Sequence, residues 1–156
     1  MHWTIPILSA GLAALLVWAA WGDLRRRDIP NPLTLAIALG APLYWWATGI
    51  SIWPDMALQI GSAFAIFMLF AGLFALGAMG GGDVKLIAAL ALWLPLGPQL
   101  RMLTVMAIAG GAVTLATLIW HRWRRAGGQI EVPYGIAISI AGLWVLANDI
   151  LTISDH

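Results

Sequence analysis

The run MALQIGSAFAIFMLFAGLFALGAMGGGDVKL, residues 56–86, joins a long apolar segment to three glycines, an aspartate and a lysine. Its first part, residues 56–78, is long and apolar enough for a helix that crosses a bilayer, which needs roughly 20 such residues. Its polar end is unfavourable for a membrane helix in two respects, because glycine lowers helix stability and a carboxylate resists burial in lipid. The run therefore predicts a membrane-spanning helix that leads into a site requiring both glycine and carboxylate.

The composition indicates that the rest of the chain also lies in a membrane. Hydrophobic residues make up 62% of the 156 residues and charged residues 10%, against about half and about a quarter in soluble domains. The net charge of +1 comes without a basic face or tail, which argues against a nucleic-acid partner. The absence of cysteine excludes disulfides, thiolate metal sites and a cysteine nucleophile. We expect one all-α integral membrane domain over residues 1–156, with the lipid bilayer as a partner.

Six apolar segments are candidate transmembrane helices: residues 3–21, 32–49, 56–78, 84–96, 102–120 and 133–151. The fourth is short and ends in the proline-containing stretch LPLGPQL, so we expect it to tilt or to span only partly. The first has no basic region before it and no clear cleavage pattern after it, and is interpreted as a retained helix rather than a signal peptide. The predicted fold is six transmembrane helices with a short fourth helix.

The positions of lysine and arginine predict the orientation of these helices, because short loops rich in them stay in the cytoplasm. Basic residues follow the first, third and fifth segments, which end on one side under a six-helix count, and the other side holds only Arg101. We therefore expect both termini on the periplasmic side. Most tryptophans, including Trp45 and Trp93, lie near segment ends and are interpreted as an interfacial belt.

Two acidic residues, Asp23 and Asp83, lie where an apolar segment reaches the predicted cytoplasmic interface. Two carboxylates that meet in a partly desolvated place cannot easily both ionise, so one keeps a proton and the pair can supply a base and an acid. Such a pair can add water to a peptide carbonyl. From spacing alone an alternative stays open, in which each aspartate only pairs with a nearby Arg or Lys at a helix end.

Three short stretches bear on this site. The glycines at 80–82 permit backbone conformations closed to other residues, so we expect a flexible loop that admits an extended substrate. The triplet IPN, residues 29–31, ends the first cytoplasmic loop, and PYG, residues 133–135, opens the last segment near the same interface. Lys85 is interpreted either as a group that tunes the local field or as an interfacial anchor.

Together these residues resemble a known family. The motif GxGD, here Gly80 to Asp83, with Asp23 and the Ile-Pro-Asn triplet that begins six residues later, resembles the type IV prepilin peptidases, a family of GxGD intramembrane aspartyl proteases. The PYG stretch is also similar to that family, and the resemblance covers nearly the whole chain. It implies that Asp23 and Asp83 are the catalytic pair and that no metal or organic cofactor is needed. It implies a substrate site formed by Gly80, Gly81, Gly82, Ile29, Pro30, Asn31, Pro133, Tyr134 and Gly135.

The resemblance also implies cleavage of prepilin leader peptides at the cytoplasmic face of the bacterial inner membrane. Larger members carry an N-terminal region with paired cysteines and also methylate the new pilin terminus. This sequence contains no cysteine, and it resembles the short branch associated with Flp (Tad) pili, without the methyltransferase region. The expected partners are prepilins with a basic leader and an apolar helix, together with pilus assembly machinery.

Two other functions are compatible with the residues. A small membrane carrier or channel could use the two aspartates to bind an ion or a proton, since intramembrane carboxylates also mark such pathways. A carrier or channel predicts acidic residues at several membrane depths, whereas Asp23 and Asp83 are predicted to lie at a similar depth. A catalytically silent assembly protein of a pilus machine is the third possibility.

Overall fold

The computed structural model describes residues 3–124 and 134–154, so Arg125 and Pro133 lie outside the described residues. Within these ranges the chain forms six α-helices and no strand, which confirms the all-α prediction, and each predicted segment overlaps mainly with one helix. The helices are α1 (Thr4–Arg26), α2 (Asn31–Thr48), α3 (Ala57–Ala75), α4 (Gly81–Ala91), α5 (Leu96–Arg124) and α6 (Tyr134–Ser154). A kinked segment, Ile52–Met56, with extended backbone at Trp53, leads into α3.

Helix length separates the helices into two groups. Three described stretches are long and apolar enough to cross a membrane, namely Thr4–Arg26, Ile52–Ala75 and Leu96–Trp120, while Tyr134–Asn148 is a shorter apolar helix. The 11 residues of α4 extend only about 16 Å at 1.5 Å per residue, against a bilayer core of about 30 Å. The short fourth helix is thus confirmed, whereas the six spans and the side of the termini stay predictions.

The short helix α4 lies at the centre of the bundle. It packs against α2, α3 and α6, and its apolar residues Val84, Leu86, Ile87, Ala89, Leu90 and Ala91 are all buried. At Gly142 of α6 an added Cβ would lie 2.7 Å from Leu90 of α4 and 2.9 Å from Leu16 of α1. Three helices therefore meet at this glycine, and one face of α4 is buried in the interior of the bundle.

Two tryptophans hold α2 against the carboxyl end of α4. The indole Nε1 of Trp45 donates to the carbonyl oxygen of Leu92 at 2.9 Å, and that of Trp93 donates to the carbonyl oxygen of Ile37 at 2.8 Å. Both side chains are buried, so the prediction that they belong to an interfacial belt is wrong for these two. An indole is equally suited to a protein core when its N–H finds an acceptor there.

The end of α4 is closed by Gln99 from the first turn of α5. Its side-chain Nε2 lies 2.9 Å from the carbonyl oxygens of Ala91 and Leu94 and 2.8 Å from the hydroxyl of Ser62, so its two hydrogens are shared among three acceptors. These bonds satisfy carbonyl groups that a helix end leaves without partners. Because α5 already begins at Leu96, the turn predicted over LPLGPQL is shorter than expected.

Candidate active site

Asp83 lies in the first turn of α4. Gly80 is the N-cap residue of this helix, with extended backbone, so Asp83 occupies the third helical position. Its carboxylate bends back towards the N-cap, since a Cβ on Gly80 would lie 3.1 Å from Asp83 Oδ2. An acidic side chain at this position complements the free N–H groups of a helix start. The carboxylate is thereby fixed by the local fold of its own helix.

The three glycines do not form the flexible loop that we expected. Gly81 and Gly82 are the first two helical residues of α4, and both are sites of close packing. A Cβ on Gly82 would lie 3.2 Å from the Cβ of Ile29, and one on Gly81 would lie 3.3 Å from the ring of Phe74. The missing side chains bring the start of α4 against its neighbours, and this close approach explains the glycines better than backbone freedom does.

Asp23 lies in the last turn of α1 and faces the start of α6. The backbone N–H of Ile136 donates to Asp23 Oδ2 at 3.1 Å. A Cβ on Gly135 would lie 2.8 Å from the same oxygen and 2.9 Å from Asp23 Cγ. The amino end of α6 thus receives the carboxylate, which is favourable because the first N–H groups of a helix lack partners within it.

The structure brings the two aspartates together. Asp23 is 5% exposed and Asp83 is 8% exposed, although they lie on different helices 60 residues apart in sequence. Asp83 is outside the three long apolar helices, and its pKa is raised to about 7. Burial is the larger cause, the nearby charge of Asp23 is the second, and the N–H of Gly80 opposes both. A buried carboxyl that keeps its proton near neutral pH, next to a second carboxyl, has the properties of an acid–base pair.

Ile29 joins the two sides of the site. Its side chain is buried and lies between Gly82 of α4 and Gly135 of α6, where an added Cβ would lie 3.2 Å from Ile29 Cβ and 2.9 Å from Ile29 Cδ1, respectively. Ile29 therefore acts as a packing element that spaces the two aspartate-bearing regions, and it lacks the exposure expected of a substrate contact.

The other two residues of the triplet begin α2. Pro30 is the N-cap residue and Asn31 the first helical residue, with Pro32 next to it, as suits a helix start. Both Pro30 and Asn31 are exposed. The side chain of Asn31 accepts a hydrogen bond from Lys85 Nζ at 2.9 Å. This contact could not be predicted from the sequence, because the two partners are 54 positions apart.

The PYG stretch is only partly described, since Pro133 lies outside the described residues. Tyr134 is half-buried, and its ring would lie 3.7 Å from a Cβ on Gly110 of α5. Gly135 is buried against Asp23 and Ile29. Sequence reasoning missed Ile136, which acts through its backbone N–H and so leaves no signal in its side chain.

In the part of the chain that the structure describes, no group of three or more His, Cys, Asp or Glu residues is arranged to hold a metal ion. The polar groups that the described residues bring to the site are the two carboxyl groups and the amino ends of α4 and α6, and Lys85 follows Asp83 by two residues on α4.

Comparison with known proteins gives one family match. Residues 10–118, more than half of the chain, match the model described as the type IV leader peptidase family. This range contains Asp23, the IPN triplet, the three glycines and Asp83.

Several curated proteins are similar over most of the chain. A prepilin leader peptidase/N-methyltransferase of Burkholderia pseudomallei is 29% identical over 147 residues, covering 87% of this chain and 44% of the relative. The corresponding protein of Xanthomonas campestris is 29% identical over 90% of this chain and 50% of the relative. That of Pectobacterium carotovorum is 27% identical over 90% of this chain and 56% of the relative. The chain thus spans about half the length of these relatives. No solved structure matches it significantly.

Proposed function

Because the chain belongs to the type IV leader peptidase family, we propose that it is an aspartic endopeptidase that removes the leader peptide from type IV prepilins, with Flp-type prepilins as its substrates. One observation carries the proposal. Two buried carboxylates from different helices lie close enough for the charge of Asp23 to raise the pKa of Asp83. The names of the similar curated proteins support the substrate class.

The proposed reaction uses the two aspartates in different roles. Asp83 is assigned as the proton donor, because its pKa of about 7 keeps a large share of it protonated at neutral pH. Asp23, which accepts the Ile136 N–H, is assigned as the base. Asp23 removes a proton from a water molecule whose oxygen attacks the scissile carbonyl carbon, while Asp83 donates its proton to the carbonyl oxygen. Asp23 then gives its proton to the departing amine as the C–N bond breaks, and Asp83 recovers a proton from a hydroxyl of the intermediate as the new carboxyl group forms, which yields the two products.

The membrane arrangement belongs to the same proposal. The six helices cross or enter the inner membrane with both termini periplasmic, so that the starts of α4 and α6 and the end of α1 face the cytoplasm. The arginines at 25–27 near Asp23 support this side, because basic residues favour cytoplasmic loops. A substrate leader would then approach from the cytoplasm while its apolar helix lies in the bilayer, with pilus assembly machinery receiving the processed pilin.

The test is cleavage of a co-expressed Flp-type prepilin by the wild type and by Asp23→Asn and Asp83→Asn variants. Asp55→Asn is the matched control, because Asp55 is exposed and its carboxylate bonds only locally, to the Ser51 hydroxyl at 2.8 Å. We expect cleavage by the wild type and Asp55→Asn, and none by the other two at equal membrane abundance.

Full processing by either dyad variant would remove that aspartate from the mechanism. A wild-type chain without cleavage activity would contradict the peptidase proposal and favour a carrier, a channel or a silent assembly protein. Proton or ion flux through reconstituted vesicles would then distinguish the carrier or channel from the assembly protein.

A further inference from the structure

An apolar groove of about 730 Å³ lies between α2, α3 and α4. Its lining is apolar except for Asn31, Thr34 and Lys85. Small residues, Ala38, Ala63, Ala88 and Ala89, are contributed by all three helices. Such residues allow the backbone of another helix to approach closely in a membrane.

The groove ends at the level of the candidate catalytic pair. Lys85 lines this end and lies two residues after Asp83 on α4, a distance of about 3 Å along the helix axis. Two residues correspond to a rotation of about 200°, so Lys85 and Asp83 lie on opposite faces of α4. A helix in the groove would therefore not contact the aspartates directly. Only a segment of chain that continues past the Lys85 end of the groove would reach them.

The charge at this end constrains the occupant. Lys85 is exposed, and the hydrogen-bond partner that the structure gives it is the neutral amide of Asn31. A substrate helix whose leader lies on the aspartate side would place its own amino end here. That end carries a partial positive charge, which opposes an ammonium unless the first turn of the helix also carries a carboxylate.

We propose that this groove holds the apolar helix that follows the scissile bond of the substrate, with a carboxylate in the first turn of that helix paired to Lys85. This inference rests on the proposed function and adds how the substrate is selected. The chain preceding the helix passes the Asn31–Lys85 pair in extended form and brings the scissile bond to Asp23 and Asp83.

The first test fills the groove. Ala38→Leu adds three heavy atoms to its lining, whereas Ala36→Leu is the matched control on the same helix, at an exposed position that does not line the groove. We expect Ala38→Leu to reduce prepilin cleavage about tenfold or more, because the leucine side chain would occupy space that the substrate helix needs. Equal cleavage by the two variants would contradict the proposal.

The second test exchanges charges. A Lys85→Glu variant should cleave the ordinary substrate poorly and should regain activity on a substrate whose first-turn acidic residue is replaced by lysine. A merely structural role of Lys85 would not respond to the substrate's charge, so absence of this rescue would overturn the pairing.

The third test detects occupancy without cleavage. A photo-crosslinking residue is placed at Phe64, which lines the groove, or at Leu69, an exposed residue of the same helix that does not line it, in the Asp83→Asn background. We expect crosslinks to prepilin at position 64 and not at 69. Crosslinks at 64 to phospholipid alone would show that the groove is a lipid site and would overturn the proposal.

These outcomes separate the two proposals. If prepilin crosslinks at position 64 but the wild-type chain does not cleave it, the peptidase function is refuted and the docking groove is supported. Cleavage by the wild type with equal crosslinking at 64 and 69 would keep the peptidase function and refute the groove.

Discussion

The backbone N–H of Ile136 donates to the carboxylate of Asp23 at 3.1 Å across 113 residues of sequence. This bond links the end of α1 to the start of α6, and it sets the position of one of the two candidate catalytic groups. Its geometry depends on the preceding residue, because only a glycine at 135 leaves room for the Asp23 carboxylate.

Gly135→Ala should therefore impair catalysis. The new Cβ would lie 2.8 Å from Asp23 Oδ2, so the carboxylate must move, and a displacement of about 1 Å at a reacting group can reduce the rate about 100-fold. The measurement is the initial rate of prepilin cleavage at equal enzyme abundance. Gly11→Ala on α1 is the control, since its Cβ would meet nothing within 4 Å. A Gly135→Ala enzyme as active as the control would show that Asp23 does not need its observed position.

Cleavage should decline as the pH rises above about 7. The pKa of Asp83 is raised to about 7 by burial and by the charge of Asp23, and the proposed reaction needs its protonated form. Above this value the rate should fall about tenfold per pH unit as the acid form is lost. The measurement is the cleavage rate in detergent between pH 6 and 9. A rate that stays constant over this range would exclude Asp83 as the proton donor.

Unfolding provides the control for this pH dependence. Because the folded-state pKa of Asp83 lies above its ordinary value of 3.8, the folded protein binds more protons than the unfolded chain between these two values. Asp83 therefore lowers the free energy of unfolding as the pH rises from about 4 to about 7. Above about pH 7 it causes no further decrease in that free energy. A fall in activity above pH 7 without a matching fall in the unfolding midpoint identifies the catalytic titration.

The sequence predicted the helices well but could not predict their neighbours. Hydropathy locates apolar helices, yet an apolar side chain in a membrane protein can face either lipid or protein. For this reason the short predicted segment, residues 84–96, overlaps the central helix α4 (Gly81–Ala91), and Trp93 belongs to the core rather than to the interface.

The sequence identified residues of the candidate site but not the contacts that these residues make. Asp23 and Asp83 stood out because carboxylates are rare in apolar chains, and the structure brings them close. The glycines at 81, 82 and 135 also stood out, but their role depends on which atoms approach them. Contacts with Phe74, Ile29 and Asp23 arise only after distant segments pack, so local sequence could suggest only backbone freedom for the glycines at 81 and 82 and no specific role for Gly135.

Gly40→Ala should destabilise the fold without touching the candidate site. A Cβ at this position on α2 would lie 2.5 Å from Cζ2 of the Trp93 ring. The indole cannot move away freely, because its Nε1 donates to the Ile37 carbonyl oxygen at 2.8 Å and its ring packs against Tyr44 with centroids 5.2 Å apart. Overpacking of this kind typically costs about 1–3 kcal/mol, and the measurement is the thermal unfolding midpoint in detergent. Gly61→Ala on α3, with nothing within 4 Å of the new Cβ, should unfold near the wild-type temperature. Equal midpoints for the two variants would mean that Trp93 does not hold α2 against the end of α4.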